Sequence, residues 1–100
     1  MQARMRKPQF EVQNLIAVDR LTAGMNVRSH GEHLILGRTE SGPSGEPQRN
    51  DRVRLTRLTE GAWGLSVKRH SGRWERTPFA GTLPEMVAVM RTFMQHLVTP

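Results

Sequence analysis

WGLSVKRHSGRWERTPFAGTLPEMVAVMRTFMQHLV, residues 63–98, reads as a hairpin feeding one amphipathic helix. From Trp63 to His70 apolar and polar side chains alternate, the period of a strand with one buried face. Ser71-Gly72 supplies the tight turn, because glycine accepts the positive φ that such turns require. Arg73 to Thr77 then forms the returning strand. A two-residue loop sets Arg69 opposite Trp74, Lys68 opposite Glu75 and Val67 opposite Arg76. One face then carries Trp63, Leu65, Val67 and Trp74; the other carries Ser66, Lys68, His70 and Arg73.

The helix is expected over Thr82 to Val98. Thr82 and Glu85 make a capping box, and Pro84 falls in the first turn, where its missing donor costs nothing. Leu83, Met86, Val87, Met90, Phe93, Met94 and Leu97 recur at steps of three and four, so they line one apolar face. That face packs on the apolar face of the sheet and closes a two-layer core. The methionines on it are read as core packing rather than as a plastic partner surface.

Working back along the chain, Asp51 to Thr59 is a strand with Val53 and Leu55 on the apolar face and Arg52 and Arg54 on the polar one. Leu58 points out of this pattern, so a bulge or a longer turn near Glu60-Gly61-Ala62 is expected. Ser41 to Asn50 (SGPSGEPQRN) has two glycines, two prolines and no large apolar residue, the composition of a flexible loop. Val27 and Leu34-Ile35-Leu36 flank the polar turn Ser29-His30-Gly31-Glu32, a second hairpin. Residues 10–21 fit either a strand or a short helix; a strand through Ile16-Ala17-Val18 is the reading adopted, ending at Thr22-Ala23-Gly24. Residues 1–9 are polar and basic, and a frayed terminus is expected. The fold class is therefore α+β. One domain spans residues 1–100, a meander of about four to five antiparallel strands with one C-terminal helix on one sheet face.

With 100 residues the chain supports one modest core and leaves little room for an enclosed cleft. Fifteen basic residues, thirteen of them arginine, stand against nine acidic ones, a net charge of +6. The excess is concentrated in residues 51–76, where seven cations meet three acids. Such a balance suits a polyanion: nucleic acid, an acidic protein or an anionic surface. The competing reading is an arginine-rich solvated surface without a ligand. No cysteine is present, which excludes disulfides, thiolate metal sites and cysteine catalysis. No apolar run reaches the roughly 20 residues of a membrane span, and the start lacks the apolar core of a signal peptide. A cytoplasmic protein is the expectation.

The candidate binding residues are Arg52, Arg54, Lys68, Arg69, His70, Arg73 and Arg76, on or beside the polar sheet face. Arginines on an open sheet can hold phosphates through charge-assisted hydrogen bonds, with salt-dependent affinity. Glu75, placed opposite Lys68, weakens that patch. Both tryptophans fall on the helix side and leave the basic face without a stacking group. His30 and His33 form an H-x-x-H, too few ligands for zinc. No nucleophile elbow, carboxylate pair or glycine-rich phosphate loop occurs, so no enzyme, metal or cofactor is expected. The leading expectation is a small non-catalytic basic binding domain, acting on nucleic acid or as a regulator through its sheet arginines. The alternative is a protein-interaction module. It would be a homodimer through a sheet edge or uncovered apolar surface, with charges that only solubilise it.

Overall fold

A computed structural model describes residues 3–98. In chain order it holds α1 (Ala3–Ala17), β1 (Asn26–His30), β2 (His33–Ser41), β3 (Pro47–Arg57), β4 (Trp63–Lys68), β5 (Trp74–Gly81), α2 (Leu83–Phe93) and α3 (Gln95–Val98). The strands form one five-stranded antiparallel sheet in the order β1-β2-β3-β4-β5. This is the expected α+β meander with a C-terminal helix on the sheet, joined by a helix that the sequence reading did not place. No described helix is long and apolar enough to cross a membrane.

The core lies on one side of the sheet. Val27, Leu36, Val53 and Val67 are cross-strand neighbours, as are Leu34, Leu55 and Leu65. These rows pack with Trp63, with Met5, Val12 and Ile16 of α1, and with Leu83, Met86, Val87 and Met90 of α2. Thr82 caps α2 as expected: its hydroxyl accepts from the Glu85 N–H, and the Glu85 carboxylate accepts from the Thr82 N–H.

Three departures from the sequence reading have physical causes. The segment expected as a strand through Ile16-Ala17-Val18 is the end of α1, and Ala3–Gln9 of the terminus expected to fray is its beginning. Met1 and Gln2 lie outside the described residues. The helical stripe begins at Met5, fully buried, and continues through Val12 and Ile16; Pro8, inside the helix, masks that continuity. Proline there forfeits one backbone hydrogen bond and clashes with the preceding turn, and packing overrides the penalty. Phe10, which suggested the strand, is 64% exposed. The end of α1 is secured by the Thr22 hydroxyl donating to the Ile16 carbonyl and by the Arg91 guanidinium donating to that of Leu15.

The expected loop from Ser41 to Asn50 is mostly strand. β2 and β3 continue pairing out to Ser41 and Pro47, so a two-stranded arm projects past the shorter outer strands and turns through residues 42–46. Polar, turn-prone residues gave the loop reading, yet the ladder hydrogen bonds need only backbone. The C-terminal helix also breaks once, at Met94, whose φ of −128° leaves the helical region. Phe93, expected in the core stripe, is 64% exposed and stacks on Phe79 with ring centroids 5.7 Å apart. Beyond the break, α3 buries Val98 and turns its last carbonyls toward Arg38 and Arg52.

Candidate functional site

The sheet face opposite the helices is where sequence-predicted residues converge. Its rows follow from register: Arg28, Ile35, Arg54, Ser66 and Arg76 are successive cross-strand neighbours, and beside them run His33, Thr56, Gly64 and Ala80. Lys68 and Trp74 close the hairpin end. No described helix lies across this face. The floor is nevertheless tight. Ile35 and Ser66 are buried at 7% and 3% exposure, because the long stems of flanking arginines can cover a strand surface while their heads stay in water.

Trp74 is on this face, not on the helix side. The loop between β4 and β5 has three residues, not two: the Gly72 N–H donates to the Arg69 carbonyl, and the Arg69 N–H donates to that of Arg73. Gly72 has φ +87°, the left-handed residue that closes such a loop. One extra loop residue shifts the pairing by one, so Lys68 faces Trp74 and Val67 faces Glu75. Because side chains alternate, that step turns Trp74 and Glu75 over. The expected pairs Arg69–Trp74, Lys68–Glu75 and Val67–Arg76 do not form. Glu75 leaves the basic face and forms an ion pair with Arg69. Trp63 is core as expected, 3% exposed, with the Arg57 guanidinium 5.0 Å from its ring centroid.

Trp74, half-buried, has two cations within reach of its ring. The Arg54 guanidinium carbon is 4.9 Å from the ring centroid, and the Lys68 ammonium is 5.7 Å away. Cations over an indole face are held by the ring quadrupole, and here they also hold the ring. The Arg54 Nε is buried without a hydrogen-bond partner, and burial pushes the guanidinium below the ordinary arginine value. It stays charged, with unused donors. Arg54, Lys68 and Arg76 have no acidic partner within ion-pair distance among the described residues, whereas the neighbouring Arg28 bonds Asp51 at 2.7 Å.

Of the seven predicted binding residues, Arg54, Lys68 and Arg76 share this face. His70 and Arg73 stand exposed in and beside the hairpin loop, where the Arg73 N–H donates to the Ser71 hydroxyl. Arg52 and Arg69 do not belong to the face. Arg52 was placed with Arg54 by alternation, but the β2–β3 register shifts beyond Leu36/Gly37, and the bulge turns Arg52 to the helix side. There it donates to the Leu97 carbonyl at 2.9 Å and pairs with Glu40 at 2.8 Å. Arg69 is engaged by Glu75.

His33 also lies on the face. Its Nδ1 is 2.8 Å from the Thr56 hydroxyl, and its pKa is lowered chiefly by burial, then by Arg54 and His30. The described residues contain no group of three or more histidine, aspartate or glutamate side chains placed to hold a metal ion. A cleft of about 820 Å³ opens between α3 and the β4–β5 hairpin, lined by Asp51, Arg52, Lys68, Arg69, Glu75 and His96 among others. Its acids are already matched to arginines, Asp51 to Arg28 and Glu75 to Arg69, so internal pairs consume most of its charge.

No family model, curated protein or solved structure matches this chain.

Proposed function

We propose that the protein is a non-catalytic nucleic-acid-binding domain that uses the uncovered sheet face. The observation carrying this reading is the set Arg54, Lys68 and Arg76 around Trp74, three cations that have no acidic partner among the described residues, on a face that no described helix covers. Several other arginines serve the fold: Arg38 and Arg52 hold α3, Arg91 holds α1, and Arg28 and Arg69 are ion-paired. Arg6, Lys7, Arg20, Arg49 and Arg73 are exposed elsewhere on the surface, whereas Arg54, Lys68 and Arg76 share one face, where phosphate oxygens satisfy them through charge-assisted hydrogen bonds. Three phosphate contacts to a single strand give a log–log salt slope of about −2, so a fourfold rise in salt weakens binding about twentyfold.

Fluorescence anisotropy with a labelled oligonucleotide from low to physiological salt tests this. The triple variant Arg54→Ala, Lys68→Ala, Arg76→Ala is expected to lose most of the binding and most of the salt slope. Micromolar protein giving no signal at low salt would refute the reading.

The alternative, a homodimeric interaction module, draws support from Phe93 and its stacked partner Phe79 at the surface beside β5. Pairing through the β5 edge is disfavoured by Pro78 and by the register shift between Gly64 and Ser66, two devices that blunt an edge strand. Sedimentation that returns a monomer across micromolar concentrations removes this alternative.

A further inference from the structure

We infer that the ligand is single-stranded and that an unpaired base stacks at Trp74; this rests on the nucleic-acid reading above. Three observations favour a single strand over a duplex. The three described helices pack on the other side of the sheet, so no described helix projects from this face into a groove. Arg54, Ser66 and Arg76 are successive cross-strand neighbours, so two cations stand in one row across β3 to β5 beside Trp74. A single strand can run its phosphates along that row with a base parallel to the indole, whereas a duplex hides its base faces in its own stack.

The third observation is the aromatic–cation arrangement itself. An indole with an arginine head 4.9 Å from its centroid and a lysine 5.7 Å away offers a stacking plane with cations already placed for the adjoining phosphates. The guanidinium is planar and stacks on π systems as the indole does. A base therefore adds to the Arg54–Trp74 pair, or takes the place of Arg54 on the ring while Arg54 turns to a phosphate. Both arrangements need a base with an open π-face. Neither depends on base identity, so little sequence preference is expected.

The test compares three labelled probes of equal length at 50 mM salt: a mixed-sequence single strand, the same sequence as a duplex, and a single strand of abasic sugar-phosphate. Each is titrated with the unaltered protein, with Trp74→Ala and with Trp74→Phe; circular dichroism confirms that both variants are folded. The unaltered protein is expected to bind the single strand at least tenfold more tightly than the abasic strand or the duplex. Trp74→Ala should weaken single-strand binding roughly 5- to 150-fold, the range for one lost base stack. It should leave the abasic strand nearly unaffected, and Trp74→Phe should restore a large part of the loss. Equal affinity for all three probes, unchanged by Trp74→Ala, overturns the stacking inference while leaving polyanion binding in place. Failure of every probe to bind overturns the nucleic-acid reading itself.

Discussion

Lys68 pairs with Trp74 across the β4–β5 ladder, and its ammonium lies 5.7 Å from the centre of the indole. The pairing depends on a three-residue loop closed by Gly72 at φ +87°. It turns Glu75 away to Arg69 and leaves Trp74 as the aromatic among Arg54, Lys68 and Arg76. One loop residue thus decides whether the outer face is a salt-bridged surface or a basic face with a stacking plane.

The loop is the first place to test this dependence. Gly72→Ala meets open space, so its cost is conformational alone, about 1–2 kcal/mol for a β-carbon in the left-handed region. Equilibrium denaturation should report a loss of that size. Gly72→Asn, which tolerates the same φ better, should recover part of it. A silent Gly72→Ala variant would show that the loop does not hold this conformation.

The β2–β3 bulge is under a different constraint. A β-carbon at Gly37 would meet backbone atoms, the Asp51 Cα and the Asn50 carbonyl carbon, both at 2.9 Å. Backbone cannot rotate away as a side chain can. Gly37→Ala is expected to cost at least the roughly 1–3 kcal/mol typical of overpacking, and to disturb the turn of Arg52 toward α3. A variant as stable as the parent would contradict the register described here.

Two arginines act as staples for the C-terminal helix. Arg38 donates to the Val98 carbonyl through Nε at 2.9 Å and to that of Leu21 through Nη2 at 2.9 Å, while Arg52 donates to Leu97. A helix of four residues has few hydrogen bonds of its own, so these contacts close its end. Arg38→Ala is expected to cost about 1–3 kcal/mol, lowering Tm by roughly 5–20 °C. Arg52→Ala should also destabilise while leaving nucleic-acid affinity nearly unchanged, because Arg52 faces away from the proposed binding surface. A large affinity loss in folded Arg52→Ala would put the interface on the other side.

The outer face also sets a pH response. His33 has its pKa lowered from 6.5 by burial, Arg54 and His30, with Glu32 opposing, so the folded state favours the neutral ring. The unfolded chain takes up the proton at the ordinary value. Stability contributed by this residue is therefore complete above pH 6.5 and is lost as pH falls from there through the lowered folded value. Denaturation midpoints across this range should decline with acidification, and His33→Gln should flatten the decline. Glu40, held below 4.5 by Asn50 and Arg52, acts at lower pH, where protonation weakens its bonds.

The sequence carried the two-layer plan because its evidence was redundant. The capping box at Thr82, the spacing from Leu83 to Met90 and the alternation from Trp63 to Val67 all agree. What stayed hidden was governed by single residues. Pro8 interrupts the α1 pattern without ending the helix, and the stripe is recoverable only when Met5 is joined to Val12 and Ile16 across it. The bulge at Arg52 lies against Leu36 and Gly37 and is invisible to alternation alone. The turn RHSGR fits a two- or a three-residue loop, and glycine in the last loop position is the one available hint of the longer form. Arg54 and Lys68 were legible as candidate residues because alternation placed them correctly, whereas Arg76, set opposite Val67 by a two-residue loop, reaches this face opposite Ser66. Trp74 was missed because its face depends on that loop.

The most direct measurement is a heteronuclear NMR titration following the two indole N–H resonances as a single-stranded oligonucleotide is added. Trp74 is expected to shift and saturate together with the backbone signals of Arg54, Ser66, Lys68 and Arg76, while Trp63, buried against the helices, stays in place. Saturable binding in which Trp74 remains fixed, or in which the shifts gather on α1 and α2, would contradict the account.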